Sequence, residues 1–107
     1  MIARMWSARA TPANASAYLQ HFVDAVLPEV RRIGGYAGAT ALQNEAPGDG
    51  VVEIVVITRW TSMDAIREFS GDPLDRAVVT DHARALLESF DDRVKHFRVA
   101  ADDDPQG

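Results

Sequence analysis

Val51-Val52-Glu53-Ile54-Val55-Val56-Ile57-Thr58-Arg59-Trp60-Thr61-Ser62-Met63-Asp64 is a strand running into a helix, and the rest of the chain arranges itself around it. Val51, Val52, Ile54, Val55, Val56 and Ile57 form a nearly continuous β-branched run, the pattern of a central strand covered on both faces. Thr61-Ser62 then offers a helix cap and Asp64 puts an acid in the first turn, where it complements the helix dipole. Ala65, Ile66 and Phe69 share one side of the short helix that follows, and Gly71 stops it.

Upstream of this junction, Tyr36 to Glu45 alternates and is rich in small residues, and Ala46-Pro47-Gly48-Asp49-Gly50 reads as a hairpin loop. The second and third strands therefore pair antiparallel. Farther upstream, Ala15, Tyr18, Leu19, Phe22, Val23, Val26, Leu27 and Val30 recur at threes and fours, a spacing that only a helix places on one face. Thr11 with Pro12, or else Asn14, begins that helix, and Gly34-Gly35 ends it. Pro28 cannot donate to the carbonyl of Asp24, so a kink or short break is expected there. Ile2 to Arg9 alternates as a first strand. Downstream, Asp72-Pro73 restarts helical sequence through Ala77, a further helical patch runs from Asp81 through Leu87, and Arg93 to Ala100 reads as the last strand.

The order strand, helix, strand, strand, helix, strand predicts an α+β fold of ferredoxin-like topology, a four-stranded antiparallel sheet with its helices on one face. The first and third strands lie side by side in the middle. Trp6, Ile54, Val56 and Trp60 are expected on the face the helices leave bare, where a second copy packing face to face would bury them as a homodimer.

At 107 residues with 47% apolar side chains, one domain is expected over residues 1–100, followed by a disordered acidic tail over 101–107. Asp102, Asp103 and Asp104 supply three units of the formal charge of -5, leaving the body at about -2. That balance argues against a nucleic-acid partner, which would need clustered Lys and Arg. The absence of cysteine removes disulfides, thiolate metal sites and cysteine nucleophiles. No apolar run suits a signal peptide or a membrane span, so the expectation is a cytoplasmic protein with no membrane partner.

Thr58 to Phe69 resembles the strand-to-helix junction of the antibiotic biosynthesis monooxygenase superfamily. Met1-Ile2-Ala3-Arg4-Met5-Trp6 and Arg93-Val94-Lys95-His96-Phe97-Arg98-Val99 are also similar to uncharacterised members of that group, so the likeness covers nearly the whole chain. The resemblance implies a dimeric α/β barrel. It does not choose among the cofactor-independent quinone-forming monooxygenases, haem-degrading enzymes and proteins without known activity that share this fold.

By that resemblance Trp60 faces a cavity between strands and helices; the alternative is a core aromatic whose indole N–H is satisfied nearby. Trp6 has the parity to form a flat slot with it for a small aromatic molecule, or else fills a dimer interface, and Thr58 is a third binding candidate. Arg4 and His96 are the catalytic candidates. Even-numbered positions on neighbouring strands share a face, and a fixed cation with a base favours the electron-rich anion that cofactor-free oxygenation requires. The alternative makes Arg4 a solvated edge cation and His96 a hydrogen-bonded strand residue.

His21, beside Gln20 and Asp24, reads as solvated, and His82 as part of a helix cap. The three histidines show no spacing that puts two metal ligands on one helical face, so no metal is expected. The haem-degrading branch carries an asparagine on its first strand, where this chain has Trp6, and an axial histidine where it has Val78, with His82 one turn farther on. Haem degradation is thereby disfavoured, and no phosphate loop suggests a nucleotide. The expected function is a monooxygenase-like enzyme acting without cofactor on an aromatic or quinol-type metabolite, in a pocket beside the dimer interface. The alternatives are a non-catalytic ligand-binding or sensing dimer and, behind it, a haem-binding protein.

Overall fold

A computed structural model describes residues 1–45 and 49–105. The elements run β1 (Ile2–Ala10), α1 (Pro12–His21), a π-helical turn (Phe22–Val26), α2 (Leu27–Val30), β2 (Tyr36–Asn44), β3 (Val52–Trp60), α3 (Met63–Ser70), α4 (Asp81–Leu86), β4 (Ser89–Phe90) and β5 (Lys95–Arg98). The sheet is antiparallel in the order β2-β3-β1-β4, and β5 pairs with the same edge of β1 as β4. The last strand expected over Arg93 to Ala100 is present as the shorter β5, which pairs with Ile2 to Met5, and a two-residue strand outside those bounds, β4, pairs with Ala8 and Arg9. This is the ferredoxin-like α+β arrangement, with β1 and β3 central and the helices on one face. Ala101 to Pro105 are exposed and carry neither strand nor helix. The expected hairpin turn falls largely on residues 46–48, outside the described residues.

Side-chain parity corrects one expectation. Val52, Ile54, Val56, Thr58 and Trp60 are all buried, while the odd-numbered residues between them are only half-buried. The even face of β1 and β3, with Trp6, Ile54, Val56 and Trp60, therefore lies under the helices and is not the bare face. Ile54, Ile66 and Trp60 have no exposed surface, and burying an isoleucine contributes about 1.5–3 kcal/mol. The bare face instead carries Met5 opposite Ile57, Leu42 opposite Val55 and Phe97 opposite Ala3. Leu42 and Phe97 are 47% and 48% exposed, so an apolar patch does remain uncovered, on the opposite parity to that expected. The charges at Glu53 and Arg59 also belong to this face.

The first helix answers Pro28 with a change of winding. Thr11 caps it, its hydroxyl accepting from Asn14 N at 3.3 Å. Leu27 N–H donates to Phe22 O, five residues back, and this π turn ends just before Pro28, where a backbone donor is lost. Val23, expected on the apolar side, is 51% exposed. Ser62 caps α3 as expected, accepting from Ala65 N at 3.1 Å.

The helix expected from Pro73 to Ala77 does not form. Ala77 N bonds to Asp92 O, Val94 N bonds to Asp75 O, and Arg76 bridges Arg93, so the backbone is held in extended form along 92–94. The Leu74 and Arg76 carbonyls, which a helix would use internally, accept instead from Arg4.

Candidate functional site

Between the sheet and its helices lies a cleft with about 620 Å³ of empty space, mouth included, of which about 60 Å³ admits the centre of a water-sized sphere. Its inner part has room for a few waters. The floor is the even face of β1 and β3, with Arg4, Trp6, Val56 and Thr58. One wall is Tyr18, His21, Phe22 and Val26 from the first helix; the other is Phe69 and the segment Val78 to Thr80. The sheet separates this cleft from the bare face, so a dimer formed there would have the cleft one layer behind its interface.

Arg4 decides the electrostatics. It is 4% exposed, pairs with Thr58 on β3 and His96 on β5, and so sits mid-sheet under the helices. One Nη1 hydrogen goes to Leu74 O at 2.7 Å and the other to His96 Nε2 at 3.0 Å, while Nη2 donates to Arg76 O at 2.6 Å. A guanidinium has five N–H donors and no acceptor. Two donors therefore remain uncommitted among the described residues, and His96 must accept at Nε2 and carry its own hydrogen on Nδ1. Burial holds the Arg4 pKa down to about 10, partly offset by Asp75, and the group stays cationic at neutral pH. Its Cζ stands 5.6 Å from the centre of the Phe69 ring, a cation–π contact.

His96 lies beside Arg4 as expected but does not line the cleft, and its Nε2 lone pair is occupied. Its pKa is lowered by burial and then by Arg4, with Asp75 opposing. Trp6 lines the cleft, its ring 5.8 Å from Tyr18 and its Nε1–H donating to Asp91 O at 2.9 Å. Thr58 also lines it and accepts from Trp60 Nε1 at 2.8 Å. Trp60 itself stands behind this layer, stacked on Phe69 at 5.7 Å with Tyr36 edge-on at 5.5 Å. It is the core aromatic with a satisfied indole N–H. Trp6 and Trp60 therefore do not make one slot; the ring beside Trp6 is Tyr18.

His21 departs from its sequence reading. It lines the cleft, its Nε2 is 2.9 Å from Thr80 Oγ1, and its ring centre is 4.7 Å from that of His82. Burial first and His82 second lower its pKa. The cap of α4 is Thr80, whose hydroxyl accepts from Ala83 N at 3.1 Å, so His82 is not the capping residue. Tyr18 is 5% exposed, burial raises its pKa, and its hydroxyl has no hydrogen-bond partner among the described residues. Sequence reasoning missed Tyr18 and Phe69 as cleft residues because both read as ordinary core. The Tyr18–His21 spacing of three, which places the two on adjoining helix positions, was the available signal.

Among the described residues no cluster of three or more His, Cys, Asp or Glu could hold a metal, and no helix is long and apolar enough to cross a membrane. His82 is turned to His21 and is not among the cleft residues, and Val78 offers no axial ligand at the position where the haem-degrading branch carries its histidine.

Solved structures share the fold. A Bacillus cereus protein assigned to the antibiotic biosynthesis monooxygenases is 14% identical, with 96% of each chain covered and a TM-score of 0.67. A Deinococcus radiodurans protein assigned to the same group is 12% identical over 100% of both chains, also at 0.67. A Mycobacterium tuberculosis protein is 23% identical over 97% of each chain, at 0.55. No curated protein matches the sequence at a significant level. Residues 1–81 match the family described as antibiotic biosynthesis monooxygenase, three-quarters of the sequence that builds the floor and most of the walls of this cleft, and the chain belongs to that family.

Proposed function

We propose that residues 1–100 form the working unit of a small monooxygenase-type enzyme, acting without a bound cofactor on a weakly acidic aromatic or quinol-type metabolite held in the cleft. The carrying observation is a buried cation, Arg4, with two uncommitted donors in a cleft lined mostly by apolar and aromatic side chains. Such a cation lowers the energy of a phenolate or hydroquinone anion, the form that passes an electron to dioxygen. In this reading Arg4 touches the oxyanion, Trp6 and Thr58 border the ring, Trp60 fixes Thr58 and Phe69 from behind, and His96 positions Arg4. The working form is a homodimer closed over the bare sheet face, in the cytoplasm.

The test is oxygen uptake by chelator-treated protein with a panel of phenols and hydroquinones. Uptake that Arg4→Gln and Trp6→Ala reduce, while both variants keep the wild-type circular dichroism, supports the reading; no uptake across the panel refutes the reaction. The engagement of the His96 lone pair favours one second reading, a dimer that binds an aromatic anion without converting it. Mass spectrometry recovering an unchanged compound from the purified protein would select it.

A further inference from the structure

We propose that His21 is the proton acceptor of this cleft, taking the hydroxyl proton of a phenol- or hydroquinone-class ligand whose oxyanion then faces Arg4. The inference rests on the reading of the cleft as a site for weakly acidic aromatics and adds the group that ionises them.

The argument begins by elimination. Among the described residues no aspartate or glutamate lines the cleft, and Arg4 is a cation with nothing to accept with. Tyr18 is kept as a neutral phenol by burial. His96, expected as the base, has its Nε2 lone pair on Arg4 and stands outside the cleft. His82 is likewise not among the cleft residues. His21 remains as the one lining side chain, among the described residues, that binds a proton near neutrality.

The surroundings of His21 suit that task. Thr80 holds the ring through Nε2, and the Thr80 oxygen is itself fixed by capping α4 through Ala83 N. In the tautomer that donates from Nε2 to Thr80 Oγ1, the basic lone pair is on Nδ1. In the step, the ligand O–H bond breaks, its electron pair stays on oxygen, and the proton bonds to Nδ1. Neutral phenol and neutral imidazole become phenolate and imidazolium. The groups packed around the ring are His82 from α4, Tyr18 from the same helix and Thr80; the nearby Asp24 carboxylate is held by Gln20 Nε2 at 2.7 Å. Burial and His82 both favour the neutral ring, so it is ready to accept at pH 7.

The probe is 4-cyanophenol, neutral in solution at pH 7 and changed in its ultraviolet band on ionisation, titrated into the full-length protein. Calorimetry in two buffers of different ionisation enthalpy counts protons released. The expected wild-type result is a phenolate band with close to zero protons released, because the proton moves to His21. In His21→Gln, which keeps an amide donor for Thr80, the phenolate band should vanish and affinity fall about tenfold, the scale of one lost charge-assisted hydrogen bond. In His82→Ala the band should remain and its loss at low pH should move to higher pH. Wild-type phenolate accompanied by close to one proton released, an unchanged band in His21→Gln, or a band lost equally in His82→Ala overturns the assignment to His21 alone. No binding by the wild type overturns the aromatic-site reading and this inference with it.

Discussion

Trp60→Phe separates a core tryptophan from a ligand-contacting one. The indole has no exposed surface, donates to Thr58 Oγ1 at 2.8 Å and packs between Phe69 and Tyr36. Phenylalanine is smaller by about 40 Å³, which at roughly 24 cal/mol per Å³ of residual cavity costs about 1 kcal/mol. The lost hydrogen bond adds about 1 kcal/mol and the lost apolar contact a similar amount, for a total of about 2–3 kcal/mol. For a chain of this size that lowers Tm by about 10–15 °C. Thermal and urea unfolding at one fixed protein concentration give the stability, and 4-cyanophenol titration gives the binding. The expected pattern is the full stability loss with affinity changed less than about threefold, since no indole atom borders the cleft. A stable Trp60→Phe protein with strongly weakened binding would refute the placement of Trp60 behind the cleft wall.

Three further outcomes follow from the same geometry. His96 and His21 both have folded-state pKa values below the unfolded value of 6.5. The unfolded chain therefore takes up protons first as pH falls: stability is complete above about pH 6.5 and declines below it, and pH-dependent urea titration of His96→Gln should show a shallower decline. Gly35 has φ +96, and a Cβ there would lie 2.6 Å from Ala65 Cβ and 2.9 Å from Thr61 Oγ1, so Gly35→Ala should cost about 2–4 kcal/mol in chemical unfolding. Ile57→Glu places a charge on the bare face, opposite Met5; sedimentation is expected to give dimers for the wild type and monomers for the variant, while near-ultraviolet circular dichroism of the buried aromatics stays unchanged.

Local patterns carried most of the topology. The threes and fours of Tyr18, Phe22 and Val26, the β-branched run from Val51 and the caps at Thr11 and Ser62 are each written within a few residues, and each element forms where they put it. The facing of the sheet was harder, because β3 is apolar on both parities and alternation alone does not say which side takes the helices. Glu53 and Arg59 break the tie: both odd, both charged, both on the side without helices. Arg4 and His96 were legible as neighbours because strand order and parity suffice to bring them together. The committed donors of Arg4 were not, since its carbonyl partners lie 70 and 72 residues away, and the same long-range clamp explains why Asp72 to Ala77 reads as helix and folds as an extended strap. His21 was hidden by its polar neighbours in sequence; only the packing of α4 against α1 brings Thr80 and His82 to it.

The wide turn at Phe22–Val26 also governs how the two ends of the first helix are phased. In ordinary α-helical winding, residues four apart drift by about 40° at each repeat, so a side chain at one end of a long helix and another at the far end fall out of line. The π turn takes up that drift in a single place, letting Tyr18 and His21 on one side of it and Val30 on the other look into the same hollow. Wound as plain α-helix, these same residues would leave the two halves rotated against each other by about 100°. With Val30 anchored in the core, the imidazole would swing away from Thr80, so the length of this one turn sets which chemical group a member of the family presents at that corner of the cleft.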